Sequence, residues 1–173
     1  MSKKMQTKKL TVCAMLSALG VVLLWLGSAV EVVDVSMAVV ASLLCVFAVI
    51  EYGGAAPWLI FSVTGLLSLI LLPQKTPALL YLLFFGYYPI IKERLEKKRS
   101  MIAWIAKEIV FNAALFLLLI LSRFLLMGLE TEPIGLFVTV VVLAEIVFPV
   151  YDIALTRLIS LYLFRVRRRL RIK

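Results

Sequence analysis

The chain has 173 residues, 64% of them hydrophobic, with a mean hydropathy of +1.08 and a net charge of +9. A soluble domain of this size does not carry so apolar a composition, so the chain reads as an integral membrane protein. Histidine is absent, which excludes imidazole metal sites and His-based catalysis, and the excess Lys and Arg gathers at the termini and in one loop, where membrane sidedness accounts for it without nucleic acid.

In chain order, a polar start carrying Lys3, Lys4, Lys8 and Lys9 leads into an apolar run over about residues 10–30. The run is longer than a secretory h-region and no small-residue cleavage signal follows it, so it predicts a retained helix. Glu31 and Asp34 then make a short acidic turn, and a second helix is expected over about residues 35–50. Gly53 and Gly54 supply its stop and a tight turn, and Pro57 suits the first turn of a third helix over 56–72. Thr76-Pro77 reads as the cap and first residue of a fourth helix over 77–92, with a kink at Pro89. A basic loop with Lys92, Arg94, Lys97, Lys98 and Arg99 follows, its charges expected in water or among lipid headgroups. A fifth helix is expected over 101–128 and a sixth, kinked at Pro149, over 134–164, joined by a loop with Glu130 and Glu132. The expected fold is therefore all-α, a single membrane domain of six transmembrane helices. Short loops rich in Lys and Arg stay cytoplasmic. Only Lys75, Lys107, Arg123 and Arg157 fall outside the N-terminus, the central loop and the C-terminal RVRRRLRIK, so both termini and that loop are assigned to the cytoplasm.

Cys13 and Cys45 both lie inside apolar runs and read as packing residues rather than a disulfide or redox pair. No P-loop, nucleophile elbow or zinc-ligand spacing is present, so no catalytic residue, metal or cofactor is assigned. A membrane enzyme working with Asp or Glu alone would leave no such motif.

Polar groups inside the last two spans are the candidate functional residues, because an ionised group in hydrocarbon costs several kcal/mol unless it is paired or hydrated. Lys107, Glu108, Asn112 and Arg123 lie on the fifth helix, and Glu145, Asp152 and Arg157 on the sixth. At 100° per residue, Asn112 and Arg123 project within about 20° of each other, as do Glu145 and Asp152. Depth along antiparallel helices suggests a Glu108 to Arg157 or a Lys107 to Asp152 pair, and leaves Glu145 near the midplane, either protonated or met by a cation. Arg123 would snorkel outward or pair with Glu130 or Glu132. Most aromatics, Trp25, Trp58, Tyr81, Trp104 and Tyr162 among them, fit an interfacial belt. Tyr87, Tyr88 and Tyr151 are candidates for stacking on a flat ligand. The expected solute contacts are Asn112, Glu145, Asp152, Tyr151, Tyr88 and Arg123, in an outward-opening pocket among the last three helices.

The opening KKLTVCAMLSALGVVLLWL, the EYGGAAPWLIFSVTGLLSLIL turn and helix, and the six-helix layout with cytoplasmic ends resemble the substrate-binding S components of energy-coupling factor vitamin transporters. The resemblance implies a subunit of the bacterial cytoplasmic membrane that captures a small, vitamin-like solute from outside and delivers it through a transmembrane coupling subunit and separate ATPase subunits. It also implies that Ala14 and Ala18, which match the family's Ala-x-x-x-Ala pattern, meet the coupling subunit. Small residues four apart equally suit packing inside the chain's own bundle. The alternative is a non-transporting multispan scaffold, such as those of the bacterial cell-shape machinery, with its buried charges in structural pairs.

Overall fold

The computed structural model describes residues 3–97, 100–125 and 134–167. Its elements are helical, with no strand among the described residues: α1 (Lys3–Ala29), a 3₁₀ turn (Glu31–Val33), α2 (Asp34–Glu51), α3 (Ala56–Leu71), α4 (Thr76–Leu80) running into a π turn (Tyr81–Phe85), α5 (Tyr88–Leu95), α6 (Ser100–Leu125), and α7 (Ile134–Leu161) running into a second π turn (Tyr162–Arg167). Three helical stretches among the described residues are long and apolar enough to cross a membrane, Gln6–Ala29, Asp34–Glu51 and Met101–Leu121. The apolar α3 is shorter, about 24 Å at 1.5 Å per residue.

The chain divides into two units, Met1–Leu125 and Leu126–Lys173. In the first, α1 lies along both α2 and α3, and small residues make this close approach possible. The inward stripe of α1 is Cys13, Ser17, Gly20 and Leu24, and that of α2 is Ala38, Ala41, Ser42, Cys45 and Ala48. Lipid supplies no hydrophobic drive between helices, so backbone proximity and dispersion must hold such an interface. Gly20 shows how tight it is: a Cβ there would sit 2.8 Å from Thr64 Cγ2 on α3. The Thr64 hydroxyl donates to the Ser17 carbonyl at 3.4 Å across the same seam.

Two expectations about helix starts need correction. The first helix begins in the polar segment at Lys3, not near Leu10, because Lys, Met and Gln are good helix formers, and hydropathy marks where a chain enters lipid rather than where its helix begins. At α4, Lys75 holds the cap position with no side-chain cap bond, so the cap expected of Thr76 is not made, although Pro77 stands in the first turn as expected. The α2–α3 turn follows the sequence reading. Gly53 and Gly54 have φ of +55° and +58°, a left-handed pair that other residues adopt at a cost. The amides of Tyr52 and Gly53 both donate to the Ala48 carbonyl at 3.0 Å.

The expected fourth helix departs furthest from expectation. It is broken rather than kinked, with α4 passing through the π turn and a short bend at Gly86–Tyr87 before α5 begins. Pro89 stands in the first turn of α5, where its missing amide forfeits no helical bond, so the proline opens a helix instead of bending one. The Gly86 amide closes the π turn on the Tyr81 carbonyl at 2.7 Å. Phe61 presses on this bend so closely that a Cβ on Gly86 would lie 2.6 Å from its ring.

Polar contacts fix which helix ends lie together in the first unit. Lys9 Nζ donates to the Tyr52 carbonyl at 3.4 Å, and Arg94 lies over the Trp58 ring at 5.9 Å. The start of α1, the α2–α3 turn and the close of α5 therefore share one basic end. Ser28 Oγ accepts from the Gln74 amide at 3.0 Å and donates to the Gln74 carbonyl at 3.2 Å, joining the close of α1 to the α3–α4 turn at the other end.

In the second unit α7 continues through Pro149. The proline has no amide to give the carbonyl of Glu145, one turn earlier. Further along, Thr156 Oγ1 donates to the Asp152 carbonyl and Ser160 Oγ to the Thr156 carbonyl, each at 2.9 Å.

Candidate functional site

The most concentrated chemistry in the first unit lies where α5 meets α6. Tyr88, Lys92 and Glu96 stand four apart, so they form one stripe along α5 and the residue after it, and Lys107 and Phe111 form the facing stripe of α6. The two faces meet in a polar half and an aromatic half. In the polar half, Glu96 Oε1 takes both Lys92 Nζ at 2.8 Å and Lys107 Nζ at 2.9 Å. In the aromatic half, Phe84 of the π turn packs on Tyr88 with ring centroids 4.8 Å apart and edge-on to Phe111 at 5.3 Å.

The burial of this cluster is uneven. Lys92 and Lys107 keep 1% and 4% of their surface exposed, whereas the Glu96 side chain keeps 39%. Two ammonium groups are thus withdrawn from water, a cost that only close opposite charge offsets, and the carboxylate reaches them from the rim. Partial burial pushes the Glu96 carboxyl up, but hydrogen bonds from Lys92 and Lys107, aided by their charges, outweigh it and hold the group below its ordinary range. A carboxylate depressed in the folded state contributes stability above its unfolded value of about 4.3, and that contribution disappears as pH falls through the lower folded value. Thermal unfolding followed from pH 7 to pH 3 should therefore show an acid-side loss that is smaller in Glu96→Gln. Equal acid loss in both proteins would show that the carboxylate carries no such linkage.

This arrangement corrects the sequence reading of Lys92, which was expected among headgroups. Tyr81, expected in an interfacial belt, is likewise fully buried, its hydroxyl 3.1 Å from Cys45 Sγ and its ring 6.0 Å from Phe61. Both cysteines are free and buried, as packing residues should be. Trp58, by contrast, stands at the basic end beside Arg94, and Trp25 and Trp104 are exposed. The signal for the ionic cluster was present in the spacing of Tyr88, Lys92 and Glu96. The position of Lys92 at the edge of a basic run masks that signal.

The expected solute contacts are distributed over both units. Tyr88 is fully buried against Phe84. Asn112 is exposed on α6, and its Nδ2 donates to the Glu108 carbonyl at 3.2 Å. Arg123 belongs to α6, but its side chain lies outside the described residues, as do Glu130 and Glu132. Glu145, Tyr151 and Asp152 are all on α7, in the second unit. On α1, Ala14 and Ala18 are exposed, on the side away from the Cys13, Ser17, Gly20 and Leu24 stripe. Among the described residues, no group of three His, Cys, Asp or Glu side chains could hold a metal ion. Comparison of the chain with protein-family models, curated proteins and solved structures finds no match.

Proposed function

We propose that this chain is a multispan substrate-binding subunit of an energy-coupling factor type transporter in the bacterial cytoplasmic membrane, taking a small, vitamin-like solute from outside for uptake driven by separate ATPase subunits. The observation that carries this reading is the orientation of α1. Its inward seam is built from Cys13, Ser17, Gly20 and Leu24, leaving Ala14 and Ala18 exposed beside Met15 and Leu19, as a face for a transmembrane coupling subunit requires. Glu145 is the preferred solute contact, since an ionisable group in a span beside a carbonyl deprived of its helical donor by Pro149 is costly unless it has a role. Asn112, Asp152, Tyr151, Tyr88 and Arg123 complete the candidate set.

Trp at Ala14 or Ala18 separates the possibilities. On an exposed docking face, Ala14→Trp and Ala18→Trp should keep expression and thermal stability while co-purification with a co-expressed coupling subunit drops at least tenfold, the effect of about 1.4 kcal/mol. Co-purification that survives both substitutions would count against the transport reading and favour the scaffold.

Sidedness rests on the basic end of the first unit facing the cytoplasm, with both chain termini on that side. In a background lacking Cys13 and Cys45, a cysteine at Gln74 should react with an impermeant thiol reagent in intact cells and one at Ser100 should not. The reverse pattern would overturn the assignment.

A further inference from the structure

We propose that Lys92 and Lys107 form an anion site at the basic end of the first unit, where the Glu96 carboxylate holds the place of a phosphate or carboxylate group from outside the chain. Two ammonium groups from different helices converge on one oxygen, Glu96 Oε1, at 2.8 and 2.9 Å. That convergence is the geometry in which lysines bind an oxyanion as paired point charges. The two lysines are held in place by burial and by the facing stripes of α5 and α6, so the site exists before any ligand arrives.

The occupant, in contrast, is free to leave. Glu96 lies one residue past the end of α5 and is the exposed member of the cluster, and only its side chain need swing outward. Its amide stays bonded to the Lys92 carbonyl at 2.9 Å. Arg94 and Lys97 are exposed on either side of it, and their field draws anions to this rim. Behind the lysines, Tyr88, Phe84 and Phe111 close the site with rings, and a poorly solvated wall strengthens any charge interaction in front of it. A dianionic phosphate carries more charge than the carboxylate it would displace. The same chemistry can come from a free solute anion or from an anionic phospholipid headgroup. Tyr88 is common to this site and to the candidate solute contacts, but the two lysines are not, so the anion response read through Lys107 stands or falls separately from the transport reading.

The test uses the full-length chain and its thermal unfolding midpoint. In zwitterionic detergent, inorganic phosphate is titrated against chloride at matched ionic strength. In parallel, nanodiscs of phosphatidylglycerol are compared with nanodiscs of phosphatidylcholine. A phosphate-dependent rise in detergent assigns the site to a free anion, and a rise confined to phosphatidylglycerol assigns it to a headgroup. Glu96→Gln removes the competing carboxylate and should lower the half-saturating phosphate, or phosphatidylglycerol fraction, roughly tenfold, while Lys107→Met should abolish the response. The proposal is overturned if neither anion raises the midpoint, or if Lys107→Met responds like the parent. Should Lys107→Met fail to fold, Glu96→Gln decides alone, and an unchanged or weakened response overturns the proposal.

Discussion

Glu96→Leu is expected to destabilise the protein by about 3 kcal/mol, whereas Glu93→Leu, only three residues earlier, should cost less than about 1 kcal/mol. The two glutamates make ion pairs of the same local type, each with a lysine four residues away. Glu93 meets Lys97 at 2.7 Å and Glu96 meets Lys92 at 2.8 Å, so distance cannot separate them. Burial does. Lys97 keeps 70% of its side chain in solvent, where water screens the attraction and ordering two long side chains consumes most of the gain. Lys92 and Lys107 are withdrawn from water, and removing the carboxylate they share leaves both with less compensation than the folded state requires. The figure lies at the low end of the range for breaking a buried pair because Glu96 itself is partly exposed and lost little hydration on folding. Thermal or denaturant unfolding of both variants in the same detergent gives the comparison. Losses of similar size would mean that the cluster is as solvated as the surface pair.

Tyr81→Ala should cost about 3 to 5 kcal/mol, the range for removing a large buried ring, while Tyr81→Phe should cost only about 1 kcal/mol for the hydroxyl. The ring opens the π turn and is fully buried. It packs near Phe61 of α3 and against the Gly86 bend, where a Cβ would lie 2.8 Å from Tyr81 Cε1, and its hydroxyl reaches Cys45 of α2. Deleting it leaves a cavity at the point where α2, α3 and the π turn meet. The backbone cannot close on that cavity without undoing the turn that the Gly86 amide completes on the Tyr81 carbonyl. Trp25→Ala is the matched control, a larger side chain on α1 that is 50% exposed and should cost far less. Comparable losses for Tyr81→Ala and Trp25→Ala would place the packing weight outside this junction.

Much of the first unit was legible in the chain because the signals are local. Apolar runs give α2, α3 and most of α6 because a helix must satisfy its own backbone in lipid, and the Gly53-Gly54 pair and the opening prolines Pro57 and Pro77 act through their own φ angles and missing amides. By length and composition, three helices among the described residues can cross a membrane. Other features depended on partners distant in sequence. Whether Pro89 kinks a helix or opens one turned on Phe61 and Tyr81 closing around Gly86. Whether Lys92 stays with headgroups or is buried turned on Glu96 and on Lys107 of the next helix. Which alanines of α1 face outward was set by which of its small residues α2 and α3 could approach most closely. Sequence by itself determined α2, α3 and most of α6, the Gly53-Gly54 turn and the opening prolines Pro57 and Pro77, since each of these is settled by the local energy of a short segment. The break in the expected fourth helix, the buried Lys92–Glu96–Lys107 cluster and the open face of α1 were decided only by tertiary structure, because each is a choice between conformations of similar local energy that contacts from other helices resolve.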